Sequence, residues 1–131
     1  MLGPSEVQSL LAAHSRGPSR ALGQNFVIDP LVIERMVDAA GVVRGSQVLE
    51  VGPGLGSLTL GLLEAGADVV AVEKDPALTE VLRDVLDARG HTGVRVHRGD
   101  ALTVSWRDLL AGGTWKMVSN LLLSTRYNCC K

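Results

Sequence analysis

The chain has 131 residues, 46% of them hydrophobic, a formal net charge of -1 and two cysteines. That length suits one domain with a real core, and the near balance of charge supplies no overall attraction to a phosphate backbone, so any nucleic-acid surface must be local. Adjacent Cys129 and Cys130 form neither a disulfide framework nor a spaced ligand set, so no metal is expected. The N-terminal stretch carries Glu6, Arg16 and Arg20 and no long apolar run, so neither a secretory signal nor a membrane span is supported, and a cytoplasmic protein is expected.

In chain order, Ser5-Glu6-Val7-Gln8 reads as a capping box ahead of a short apolar stripe, predicting a small N-terminal helix, and a basic loop follows to Ala21. Asp29-Pro30 opens a second helix with Leu31, Ile33, Met36 and Val37 on one face and Gly41 near its end. Gln47 to Val51 is a short apolar run followed by glycines and a periodic stretch with Leu55, Leu58, Leu62 and Leu63, which predicts strand, tight turn and helix. Asp68 to Glu73 reads as a second strand and Pro76 to Arg89 as its helix. Val94 to His97 and Trp115 to Ser119 read as strands three and four, with 101–110 an irregular link. Apolar runs without alternation predict strands covered on both faces, hence a doubly wound, Rossmann-like α/β fold with a parallel sheet wrapped by helices.

Such sheets bind ligands beyond the carboxyl ends of their strands, where the strand order reverses. After the first strand comes Gly52-Pro53-Gly54-Leu55-Gly56, where missing side chains let a ligand approach the backbone and the next helix offers free N–H groups. The bland alternative is a tight turn and nothing more. The spacing differs from the Gly-x-Gly-x-x-Gly of dinucleotide binders and suits an adenosyl ligand without phosphate better. Glu73 ends the second strand, where a carboxylate can accept from both hydroxyls of a ribose. Asp100, in Gly99-Asp100-Ala101 after the third, can accept from an adenine amino group. Each residue alone also reads as a solvated acid or a turn former; their register at successive strand ends is the specific signal. His14, His91 and His97 lack metal-ligand spacing and are expected at the surface or in turns. Trp106 and Trp115 are expected to pack the link against the sheet.

Leu22-Gly23-Gln24-Asn25-Phe26, Val48-Leu49-Glu50-Val51-Gly52-Pro53-Gly54-Leu55-Gly56, Val72-Glu73-Lys74-Asp75, Gly99-Asp100-Ala101 and Ser119-Asn120-Leu121 occur in this order. Together they resemble the ribosomal RNA adenine dimethyltransferases, from about Arg20 to Leu121, and macrolide-resistance methyltransferases of large-subunit RNA share much of the pattern. The resemblance implies an S-adenosylmethionine-dependent methyltransferase fold cut to about four strands and preceded by N-terminal helices. It divides the chain into an N-terminal helix and basic loop (1–21), a partial methyltransferase domain (22–121) and an atypical tail (122–131), with the family's C-terminal helical domain absent.

The resemblance further implies that Asn25 and Val27, the latter where the family usually has Leu, contact S-adenosylmethionine from the N-terminal segment. Gly52 and Gly54 would hold its methionine end, Glu73 its ribose and Asp100 its adenine. Asn120 would be both a cofactor contact and the catalytic residue that opens the family's Asn-Leu-Pro-Tyr motif. The implied partner is the RNA of the immature small ribosomal subunit, dimethylated on adjacent adenines near its 3′ end. Here Leu122 and Leu123 stand where that motif has Pro and Tyr, and nothing after Leu121 matches the family. A frameshift, retained intron or sequencing error near codon 121 would produce such a change. A sheet ending at its fourth strand would expose an apolar edge, so marginal folding, a tendency to aggregate and weak cofactor binding by a monomer are expected. The competing readings are a non-catalytic remnant that binds the cofactor or takes part in ribosome assembly, and a nicotinamide dehydrogenase half-domain, which the glycine spacing disfavours.

Overall fold

The computed structural model describes residues 29–91, 94–110 and 112–119. The expected N-terminal helix and basic loop, Asn25, Val27, Asn120 and the tail lie outside them. The described elements are α1 (Pro30–Ala39), β1 (Gln47–Val51), α2 (Ser57–Glu64), β2 (Asp68–Glu73), α3 (Pro76–Ala88), β3 (Arg95–Arg98), α4 (Trp106–Leu109) and β4 (Lys116–Ser119).

α1 and α3 begin with the same device. Asp29 Oδ1 accepts from the Leu31 N–H at 2.8 Å, and Asp75 Oδ1 accepts from the Ala77 N–H at 2.8 Å. The following proline, Pro30 or Pro76, occupies the first turn, where its missing N–H costs nothing. α2 is different: Ser57-Leu58-Thr59-Leu60-Gly61-Leu62 carries no charge and every one of these residues is buried. A helix apolar all round must be enclosed, and this one lies between the sheet and its neighbouring helices. Gly61 permits the approach of α1, because a Cβ there would lie 2.3 Å from Ile33 Cγ2.

All four strands are parallel, in the order β3-β2-β1-β4. The chain steps outward from β1 through β2 to β3, then returns to the far side of β1. One face of the sheet, with Val48, Val69 and Ala71, packs against Ile33, Val37, Leu58, Leu62, Val81 and Leu82 of the three longer helices. The opposite face, with Leu49, Val70 and Val72, is covered by Val104, Trp106, Leu109, Leu110, Trp115 and Met117. Both tryptophans therefore pack the β3–β4 link on the sheet, as expected. The charged residues Glu80, Arg83, Asp84 and Asp87 of α3 are exposed, while Leu78, Val81, Leu82, Val85 and Leu86 are buried together with Thr79, whose Oγ1 donates to the Asp75 carbonyl at 2.9 Å.

Four sequence expectations need correction. β3 begins one residue late, at Arg95, and β4 at Lys116, because in a parallel sheet pairing partners rather than composition set the ends. The link is not wholly irregular, since Trp106–Leu109 form one helical turn. Leu31 is 51% exposed, because the buried face of α1 is set by Ile33 and Val37. Coverage of both faces holds for β1 and β2 but not for β3, whose Arg95, His97 and Arg98 are exposed at the sheet edge.

Candidate active site

With the strands parallel, the segments after β1, β2 and β3 emerge at one end of the sheet, and the reversal of strand order falls between β1 and β4. At that end β1 runs into a turn in which Gly52, Gly54 and Gly56 take positive φ values of 70°, 59° and 98°. L side chains rarely adopt this region, so glycine is required there. The Gly52 N–H donates to the Val72 carbonyl at 2.9 Å, extending the β1–β2 ladder into the turn, and Ser119 Oγ donates to the Val51 carbonyl at 2.9 Å from the β4 side.

Glu73 organises the turn. Its Oε1 accepts from the Gly54 N–H at 3.2 Å and its Oε2 from the Asp75 N–H at 2.9 Å, while its backbone carbonyl accepts from the Gly99 N–H at 2.8 Å. One residue thus ties together the segments that follow β1, β2 and β3. Each carboxylate oxygen keeps a lone pair for a further donor, which is the requirement for gripping a vicinal diol. Glu73 is only 6% exposed, so its aim is held by the protein.

Asp100 follows directly. Its Oδ1 accepts from the Leu102 N–H at 2.8 Å and its backbone carbonyl from the Thr103 and Val104 N–H groups, so the residue turns the chain as well as offering Oδ2. Lys74 Nζ lies 3.9 Å from that Oδ2. The structure therefore brings Gly52, Gly54, Glu73 and Asp100 to one end of the sheet. Asn120 is the residue after the last of β4, and it, Asn25 and Val27 lie outside the described residues. Among the described residues no group of three or more His, Cys, Asp or Glu could hold a metal ion, and no helix is long and apolar enough to cross a membrane.

One feature of the site region was not singled out from the sequence. Glu50 is fully buried in β1; its Oε1 accepts a hydrogen bond from Thr59 Oγ1 of α2, and its Oε2 has no hydrogen-bond partner among the described residues. Burial pushes its carboxyl up from 4.5 to about 7, Thr59 pulling the other way and the charge of Glu73 adding to the rise. The signal was a lone acid inside the apolar run Gln47-Val48-Leu49-Glu50-Val51.

A parallel, doubly wound sheet with a glycine turn after β1 and an acid closing β2 has the Rossmann-like fold of the S-adenosylmethionine-dependent methyltransferases, and solved structures of that class share it. A dimethyladenosine transferase from Plasmodium falciparum superposes with a TM-score of 0.55 at 26% identity, covering 60% of this chain and 28% of that one. The 23S rRNA methyltransferase ErmE does so with a TM-score of 0.54 at 36% identity, covering 60% of this chain and 31% of that one. Residues 18–122 match the family described as ribosomal RNA adenine dimethylase, and the chain belongs to that family. Ribosomal RNA small subunit methyltransferase A of Nocardia farcinica is 52% identical over 124 residues, 92% of this chain and 42% of that protein. The chain spans less than half the length of the curated relatives it matches.

Proposed function

We propose that this chain is the S-adenosylmethionine-binding part of a cytoplasmic small-subunit rRNA adenine N6,N6-dimethyltransferase. The observation that carries the reading is Glu73, held by the Gly54 and Asp75 amides at the end of β2, inside the stretch that the family matches. Its aimed carboxylate suits the ribose diol, the glycine turn suits the methionine end, and Asp100 Oδ2 suits the adenine amino group. Asn25 and Val27 complete the cofactor contacts and Asn120 the catalytic group, by their matching positions in the family. The partial domain spans 22–121, flanked by 1–21 and 122–131.

S-adenosylmethionine supplies a methyl group on a sulfonium, already a good leaving group. The protein's task is to hold the acceptor in line with it. The adenine N6 lone pair is delocalised into its ring, and acceptors that draw on the N6 hydrogens localise it for attack. Asn120 Oδ1 and the backbone carbonyl of Leu122 are placed in sequence for this role. Held by Gly52, Gly54, Glu73 and Asp100, the bound cofactor would give its methyl to N6 and leave as a neutral thioether, and the nitrogen would lose a proton.

A second reading, a binding remnant that no longer methylates, is favoured by Leu122 and Leu123. A leucine replaces the ring that would stack on the extruded base, a contact worth about 1–3 kcal/mol in single-strand binders. Two measurements test these readings. Calorimetric titration with S-adenosylmethionine and with NAD is expected to show the former binding, and loss of that binding in Glu73→Ala. Methyl transfer to unmethylated small-subunit RNA, compared with a Leu122→Pro/Leu123→Tyr chain, then separates enzyme from remnant. NAD binding in preference to S-adenosylmethionine would refute both.

A further inference from the structure

The segment between Asp87 and Asp100 contains Arg89, His91, Arg95, His97 and Arg98 and no acidic residue, in a chain whose net charge is -1. β3 pairs only with β2 in the described sheet, so its outer edge is open. Arg95, His97 and Arg98 are exposed along it over about 10 Å at a strand rise of roughly 3.3 Å. Arg83 reaches the same edge from α3, its Nη2 donating to the Val96 carbonyl at 3.1 Å. Arg95 is fixed from the other side, Nη1 donating to the Leu109 carbonyl at 3.1 Å with the guanidinium 6.0 Å from the centre of the Trp115 ring. Each guanidinium spends one donor on a carbonyl out of five in a rigid fork that matches phosphate geometry. Arg98 pairs in register with Glu73 and precedes Gly99-Asp100, so the strip runs up to the candidate cofactor end.

We propose that this open edge of β3 is a contact strip for the phosphate backbone of RNA, steering it toward the end of the sheet that carries Glu73 and Asp100. The proposal rests on the reading of the chain as an RNA methyltransferase and adds the surface that meets the substrate. It also accounts for RNA recognition by a chain with no net positive charge, since phosphate contacts need only local cations.

The test is fluorescence anisotropy of a labelled small-subunit rRNA hairpin with the full chain, at several salt concentrations. Arg98→Gln leaves the anchored Arg83 and Arg95 in place; Arg35→Gln, on the exposed side of α1, makes the same charge change elsewhere. Losing one phosphate contact is expected to weaken binding most at low salt and to lower the log–log salt slope by roughly 0.7–0.9, so that between 50 and 200 mM salt Arg98→Gln loses about threefold less affinity than the wild type. Arg35→Gln is expected to leave the slope unchanged. Far-UV circular dichroism melting confirms that both variants fold. No RNA binding by the wild type, equal loss in both variants, or an Arg98→Gln chain that aggregates while binding RNA normally would overturn the proposal; the last outcome would assign the cations to edge protection. The cofactor titration fails independently: a strip that binds RNA in a chain that ignores S-adenosylmethionine would overturn the methyltransferase reading and leave the strip standing.

Discussion

Replacing Glu50 with Gln isolates the energetic cost of a buried acid. The folded state holds the Glu50 proton up to about pH 7, whereas the ordinary value is 4.5. Between those values the folded chain binds more protons than the unfolded chain, so this group makes stability fall as pH rises through the window, levelling off above pH 7. The difference of roughly 2.5 units corresponds to about 3 kcal/mol. Gln is close to isosteric, can still accept from Thr59 Oγ1 and has no proton to lose. Urea unfolding followed by far-UV circular dichroism from pH 5 to 8 is therefore expected to show Glu50→Gln gaining on wild type by about 3 kcal/mol toward high pH. Most of the gain falls below pH 7, and titrating groups that are not coupled to Glu50 cancel in the comparison. Thr59→Val removes the donor that favours the charge, so its window should extend further upward. A stability difference between Glu50→Gln and wild type that stays constant from pH 5 to 8 would refute the reasoning.

Packing and capping supply further tests. Gly61→Ala forces a Cβ against Ile33 and should destabilise by about 1–3 kcal/mol in denaturant unfolding; adding Ile33→Ala should cost less than the sum of the two single changes. Asp75→Ala removes the cap of α3 and an anchor of the segment beside Glu73, so a loss of about 1 kcal/mol in thermal unfolding is expected. Gly56→Ala combines a φ of 98° with a Cβ 2.7 Å from Leu82 Cδ1, and both calorimetric stability and S-adenosylmethionine binding should fall.

Local chemistry was legible from the chain itself. The Asp-Pro pairs at 29–30 and 75–76 start helices because cap and fixed φ act within one turn. The runs Gln47 to Val51 and Asp68 to Glu73 declare strands because no polar alternation interrupts them except at Glu50. The glycines after the first run and the acid closing the second marked the candidate site, and the order of the motifs marked the family. Tertiary structure alone decided the strand order β3-β2-β1-β4, which no periodicity encodes because it depends on partners far apart in the chain. It decided that Leu31 is exposed and that β3 offers a basic edge, since burial depends on which neighbours arrive. It also turned Glu73 from a carboxylate at a strand end into the acceptor that holds the turn at Gly54, and Glu50 from one letter of a strand into a buried acid clasped by Thr59. A hydrogen bond between residues 19 positions apart exists only once two parallel strands are in register.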